Sequence, residues 1–427
     1  MTEAFLQYVW QHQLMCLDKL YTTDKEEISI IKIGTFNRNA GPDFLNAKIK
    51  IGNTIWAGDV EIHIKSSDWY VHQHHKNPVY NSVILHAVAS FDKDVYSENG
   101  HKIPTLLIPI LPQISYNYMT FNNIQECIKC ENQLTNIDTS RINMFIERLV
   151  AERFEQKALH IFEFYNATNH NWEETLYQQL ARNFGSNTNS EAFEALAQSL
   201  PLHIIEKHKD NAFQIEALLF GQANVWSNNA DEYETRLKQE YQFLQKKYNL
   251  TPISSTVWKF AKMRPRNFPT IRIAQFARLL FCKQHITSKI LEIKTVETMR
   301  ALFLCSADEY WKTNFPWSKE SPKHNTDIGR QTIDTILINT VIPFLFAYGK
   351  EHQNENIKER AYNFLMKLPP EKNAIISKWK QYGLQVTNAL ESQGLIQLYN
   401  NYCTEKNCFH CPIGHIILKL NPITKTY

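Results

Sequence analysis

Glycine is scarce, with 12 in 427 residues, which argues against a loop-dominated or fibrous protein and suits long helices. An excess of charge of one sign is missing as well. The 46 Lys and Arg against 43 Asp and Glu leave a net charge of +3, so a nucleic-acid partner is permitted only where basic residues gather locally. No apolar run approaches membrane-spanning length, and the start, MTEAFLQYVWQHQLM, reads as an amphipathic helix with an early Glu instead of a secretory leader. A membrane partner is therefore not expected, and a reducing cytoplasm is. Eight cysteines in so long a chain do not make a disulfide framework; Cys16, Cys282 and Cys305 sit in apolar contexts that predict buried thiols.

What is present is the balance of an ordinary globular protein long enough for two or three cores. Residues 2–16 predict a helix with Phe5, Tyr8, Val9 and Leu14 on its core face. Strands follow at about 27–33, 44–51, 55–65, 83–89 and 105–110, with Gly52-Asn53 as a tight hairpin turn. Beyond residue 115 the apolar spacing changes to the helical period, from 138–166 through to 384–400. The expected architecture is an α+β domain over 1–115 with a mixed sheet, followed by a large all-α domain over 116–427. Phe220-Gly221-Gln222-Ala223, inside a helical run, marks a close helix contact.

The chemistry concentrates in NAGPDFLNAKIKIGNTIWAGDVEIHIK, residues 39–65. Strand alternation puts Asp59, Glu61, His63 and Lys65 on one face and Val60, Ile62 and Ile64 on the other. Asp43 opens the preceding strand, so a twisted hairpin brings two carboxylates together, the minimal oxygen site for Mg²⁺. His63 or Lys65 could then position a water or stabilise developing negative charge. The competing reading is a solvated strand face with cross-strand ion pairs. His72, His74, His75 and His86 follow; His86, in an apolar strand, reads as a core histidine, while His72 and His74 could reach the strand face.

Two further clusters stand out. Cys403, Cys408 and Cys411 are spaced C-x4-C-x2-C, which suits a shared zinc ion or iron–sulfur cluster. The fourth ligand is either His415 nearby or an upstream cysteine of the Cys127/Cys130 pair, and the site would lock the final helix onto the α-domain. Arg264, Arg266 and Arg272 gather around a loop and a helix start after Pro269, a setting for nucleic-acid phosphates, with Phe268 available to stack on a base. The alternative is an arginine-rich loop that buttresses the helical domain.

Pro42-Asp43 followed by Glu61-Ile62-His63 resembles the PD-(D/E)XK motif of restriction-endonuclease-like phosphodiesterases, whose core is a helix, a β-meander carrying the motif, a helix and another strand. The resemblance covers roughly residues 1–115. It implies a metal-dependent nuclease with Asp43 and Glu61 as Mg²⁺ ligands and His63 or Lys65 as the basic group, His63 standing where lysine is usual. Glu3 is the candidate for the glutamate that the first helix often adds to such sites. One upstream cysteine with three C-terminal ones resembles the iron–sulfur staple of some helicase-nucleases of this type. Over nearly its full length, through segments such as GDVEIHIKSSDW, EALLFGQAN and RPRNFPTIRIAQFA, the chain resembles domain of unknown function 2851.

Overall fold

The computed structural model describes residues 1–419 except 19, 38, 125–126 and 318–320. The chain divides into two compact units, one made of residues 1–142 with the segment from 399 onward, the other of residues 143–398. The expected boundary after residue 115 is therefore displaced, and the C-terminal segment belongs to the first unit.

In the first unit the helix α1 (Glu3–Gln11) starts at Thr2, whose hydroxyl accepts the Phe5 N–H and satisfies one of the helix's free donors. Its apolar residues Phe5, Leu6, Tyr8, Val9 and Trp10 are buried. Seven strands build one mixed sheet: β1 (Leu20–Tyr21), β2 (Glu27–Lys32), β3 (Thr35–Phe36), β4 (Phe44–Ile51), β5 (Thr54–Lys65), β6 (Val83–Ser90) and β7 (Thr105–Leu107). Their order is β1-β2-β4-β5-β6-β7, with β3 also paired to β4. The meander β2-β4-β5 is antiparallel, and β5-β6 and β6-β7 are parallel. Gly52 turns the β4–β5 hairpin in the left-handed region at φ 57°. A parallel pair requires a crossover, here the short helix α2 (Asp68–Val71) and two 3₁₀ turns.

Val60, Ile62, Leu85 and Ala87 join the α1 side chains in the main core. The helix α3 (Pro112–Asn122) adds Ile114 and Tyr118 to that core, and the C-terminal helix Pro412–Lys419 adds Leu418. Asn117 on α3 donates to the Leu418 carbonyl at 3.0 Å. The final helix thus closes the first unit, not the helical one as expected. The opposite side of the sheet packs on Trp69 of α2 with Tyr80, Val83, Val95 and Ile103.

The second unit is helical throughout its main elements, including Trp172–Phe184, Ala212–Ala223, Glu232–Tyr248 and Pro269–Cys282. The helical stretch Arg330–Glu351 is long and apolar enough to span a membrane, an exception to the sequence expectation; 78% of its apolar window is buried within the fold. Of the three cysteines expected to be buried, Cys16 and Cys282 are exposed and Cys305 is half-buried, since the first two lie just beyond or at helix ends.

Candidate active site

The antiparallel register Phe44↔Val60 places Asp43 directly opposite Glu61. Side chains of such cross-strand neighbours start about 4.5–5.5 Å apart. Each residue holds the other. The Asp43 N–H donates to Glu61 Oε2 at 3.1 Å, and the Ile62 N–H donates to Asp43 Oδ2 at 3.0 Å. From α1, Gln7 donates its amide to Asp43 Oδ1 at 2.8 Å. Glu3, half-buried on the same helix, is within electrostatic range of Asp43.

The other Glu61 oxygen faces histidines. Oε1 lies 3.1 Å from His74 Nε2 and 3.6 Å from His63 Nε2. His63 Nδ1 meets His86 Nε2 at 2.8 Å, and His63 Nε2 meets His72 Nδ1 at 3.0 Å. His63 and His86 are fully buried, His74 is nearly so, and His72 is exposed at the rim. Trp69 packs edge-on to His74 and Tyr80 stacks on it at 3.7 Å between centroids, so aromatic walls exclude water from two sides.

Burial sets the protonation. It pushes both Asp43 and Glu61 well above the ordinary carboxylate range, with the neighbouring Glu61 adding to the rise at Asp43. Burial also lowers His63 far below the ordinary imidazole range and His86 to about 3, with neighbouring imidazoles reinforcing it. The pocket thus presents acids that resist ionising together beside neutral imidazoles, a combination that a cation would relieve.

Asp43 and Glu61 are suited to Mg²⁺, which takes carboxylate oxygens and keeps several waters. The imidazoles around Glu61 Oε1 are not: nitrogen ligands of this kind suit Zn²⁺, Fe²⁺ or Ni²⁺.

The remaining sequence candidates fall in different places. Lys65 is exposed at the end of β5, so His63 and not Lys65 accompanies Glu61 in the pocket. Asp59 is occupied elsewhere: its carboxylate accepts the Asn46 N–H at 2.9 Å and the Ser82 hydroxyl at 2.6 Å. Arg272 lies inside its helix, 8% exposed, and donates to Asn267 at 2.7 Å and Gln275 at 3.2 Å, so its guanidinium supports the fold and does not face a phosphate. Arg264 and Arg266 are exposed around the 3₁₀ turn Pro265–Asn267. Cys130, Cys403 and Cys411 are buried, and Cys408 half-buried. Cys130 interacts electrostatically with Cys403, Cys408 and Cys411. His415 turns away from them: its Nδ1 bonds the Tyr8 hydroxyl and its ring packs 4.5 Å from His12.

Sequence reasoning missed Gln7 and underrated His86. The signal for His86 was its register opposite Glu61, which needs the parallel β5–β6 pairing to be known.

A mixed sheet with a buried carboxylate–imidazole pocket, joined in one chain to a separate helical unit, defines the class of protein. The chain belongs to the family described as protein of unknown function DUF2851, which matches residues 3–374. The match includes the whole pocket and stops short of Cys403. No curated protein and no solved structure matches the chain.

Proposed function

We propose that the protein is a cation-dependent phosphodiesterase acting on nucleic acid, with Asp43 and Glu61 at its centre. The observation that carries this reading is the pairing of the two carboxylates across β4 and β5, each fixed by the other's strand. The succession of α1, the meander β2-β4-β5, α2 and β6 supports the likeness to restriction-endonuclease-like nucleases. A divalent cation bound there supplies Lewis-acid polarisation of a phosphoryl oxygen and a more acidic water. Asp43 and Glu61 furnish the negative charge that holds it, and Gln7 and the Ile62 N–H keep Asp43 from rotating away. His63 stands in the lysine position of the motif. His72 at the rim can donate to a substrate phosphate, and Arg264 and Arg266 supply exposed phosphate contacts on the helical unit.

The test is incubation of the full-length protein with single- and double-stranded DNA and RNA and a divalent metal, beside Asp43→Ala and Glu61→Ala. The expected result is cleavage by the wild type alone. Cleavage in all three samples, or in none, overturns the reading; binding without cleavage would favour a non-catalytic nucleic-acid-binding protein on the same fold.

The cysteines support a separate, structural role. We propose that Cys130, Cys403, Cys408 and Cys411 share one thiolate-bound centre, zinc or iron–sulfur, that fastens the C-terminal segment to the first unit. Backbone N–H groups of Ile413 and Gly414 point at the Cys411 sulfur, an arrangement that favours a thiolate. Burial raises all four thiols above the ordinary thiol range. Purified protein is expected to contain stoichiometric zinc, or iron with a brown chromophore. Cys411→Ser should lose it and melt several degrees lower, since the binding free energy of such a site is folding free energy. Absence of both metals, or full retention in Cys411→Ser, rules the centre out.

A further inference from the structure

Three histidine donors beside Glu61 Oε1 are close enough to share one ion. His74 Nε2 lies 3.1 Å and His63 Nε2 3.6 Å from that oxygen, and His63 Nε2 lies 3.0 Å from His72 Nδ1. One ring nitrogen from each of His63, His72 and His74 falls within 4.8 Å of the other two. Metal–ligand bonds of about 2.0–2.2 Å put neighbouring donors about 3.0 Å apart at right angles and about 3.4 Å apart in a tetrahedron. The separations of 3.0, 3.1 and 3.6 Å span both values.

A second observation points at a ligand. His74 Nε2 is buried and has no hydrogen-bond partner among the described residues, although Glu61 Oε1 is only 3.1 Å away. The two atoms approach without the alignment of a hydrogen bond, which is expected if both face a third body. The ring behind them is already oriented. With the His63 Nδ1–H donated to His86 Nε2 at 2.8 Å, His63 Nε2 carries the ring's lone pair and faces His72 Nδ1 at 3.0 Å. Metal-bound histidines are commonly held in this way through the second ring nitrogen.

We propose that His63, His72 and His74 form a binding site for a divalent transition-metal ion of the zinc, iron or nickel type, in preference to Mg²⁺, with the Glu61 carboxylate beside His63 and His74. The proposal rests on the reading of this pocket as a cation-dependent hydrolytic site, and it gives His63 a coordinating task in place of the basic role of the motif lysine. Imidazole nitrogens select such ions, whereas Mg²⁺ prefers oxygen donors and retains its waters. His86 is then a positioning residue. His72, at the rim, is the ligand most open to exchange with substrate.

Full-length protein stripped with a chelator is titrated with Co²⁺ and, separately, with Mg²⁺, following visible absorption and binding heat. Co²⁺ is expected to bind at least about 100-fold more tightly than Mg²⁺. Its bands should be those of nitrogen and oxygen ligands; any Co²⁺ taken up at the cysteines is told apart by sulfur charge transfer. His72→Ala, at an exposed position, should fold normally and weaken Co²⁺ binding at least about tenfold, and His86→Ala should weaken it about 10- to 100-fold through the loosened His63 ring. Equal affinity for Co²⁺ and Mg²⁺, or wild-type Co²⁺ binding by both His72→Ala and His74→Gln, overturns the proposal. A protein that binds Co²⁺ as expected yet cleaves no nucleic acid defeats only the phosphodiesterase reading. Mg²⁺-dependent cleavage that survives His74→Gln defeats only this one.

Discussion

Glu61→Gln is expected to abolish cleavage while leaving the protein at least as resistant to heat as the wild type in the presence of a chelator. Gln has nearly the same shape, and its amide oxygen can still accept the Asp43 N–H that Glu61 Oε2 accepts at 3.1 Å. What it loses is the charge that attracts a cation. Metal-ion catalysis is worth several kcal/mol, so the loss of turnover should be roughly 10³-fold or more. Stability should move the other way. Glu61 is 4% exposed beside a second carboxylate, and no lysine or arginine is paired with it among the described residues. Such a group costs the fold some of the solvation its charge had in water. Removing the charge should therefore change stability by no more than about 1 kcal/mol, and in the stabilising direction. Activity and thermal melting measured on the same preparation decide the matter. A drop in melting temperature matching the drop in activity would show that Glu61 serves the fold, and the pocket would lose its claim to be a site.

The sequence was informative where one local rule acted alone. Alternation and Gly52-Asn53 located β4 and β5 nearly to the residue, and the helical spacing of Phe5, Tyr8 and Val9 picked out the buried face of α1. The polar face of β5 was legible as a pattern but not as a site. Its four groups separate because only Glu61 and His63 are covered, by His72, His74 and His86. Asp59, at a register shift, turns to Asn46 and Ser82, Lys65 runs out into solvent, and Glu61 and His63 alone are enclosed. His74 and His86 reach the pocket through the crossover and the parallel register, which depend on the tertiary pairing of β6 and not on nearby sequence. The cysteines show the same limit. Spacing grouped Cys403, Cys408 and Cys411, but it could not show that His415 is engaged by Tyr8 of α1 and by His12 at the end of that helix. The domain boundary was misplaced for a related reason: helical periodicity marks the Pro412–Lys419 helix without saying which core receives Leu418.

Gly221→Ala should destabilise the helical unit by roughly 2–4 kcal/mol, an effect opposite to what helix propensity alone dictates. In an exposed helix the change would gain about 1 kcal/mol. Here a Cβ on residue 221 would fall inside the ring of Tyr241, on the facing helix Glu232–Tyr248. The ring has little freedom to move. Its hydroxyl donates to Gln222 Oε1 at 2.8 Å, and the Gln222 amide donates to the carbonyls of Thr251 at 2.6 Å and Ser199 at 3.0 Å. Overpacking costs about 1–3 kcal/mol or more, and opening a buried hydrogen bond about 1–3 kcal/mol further, which outweighs the propensity gain. For a unit of this size the loss corresponds to a fall in melting temperature on the order of 5–15 °C. The clash can be separated from the hydrogen bonds by a double-mutant cycle with Tyr241→Ala. If the helices are held apart by the added methyl group, Gly221→Ala should cost almost nothing in the Tyr241→Ala background, leaving a coupling of about 2–4 kcal/mol. Strict additivity of the two changes would mean that Gly221 owes its place to something other than the Tyr241 ring.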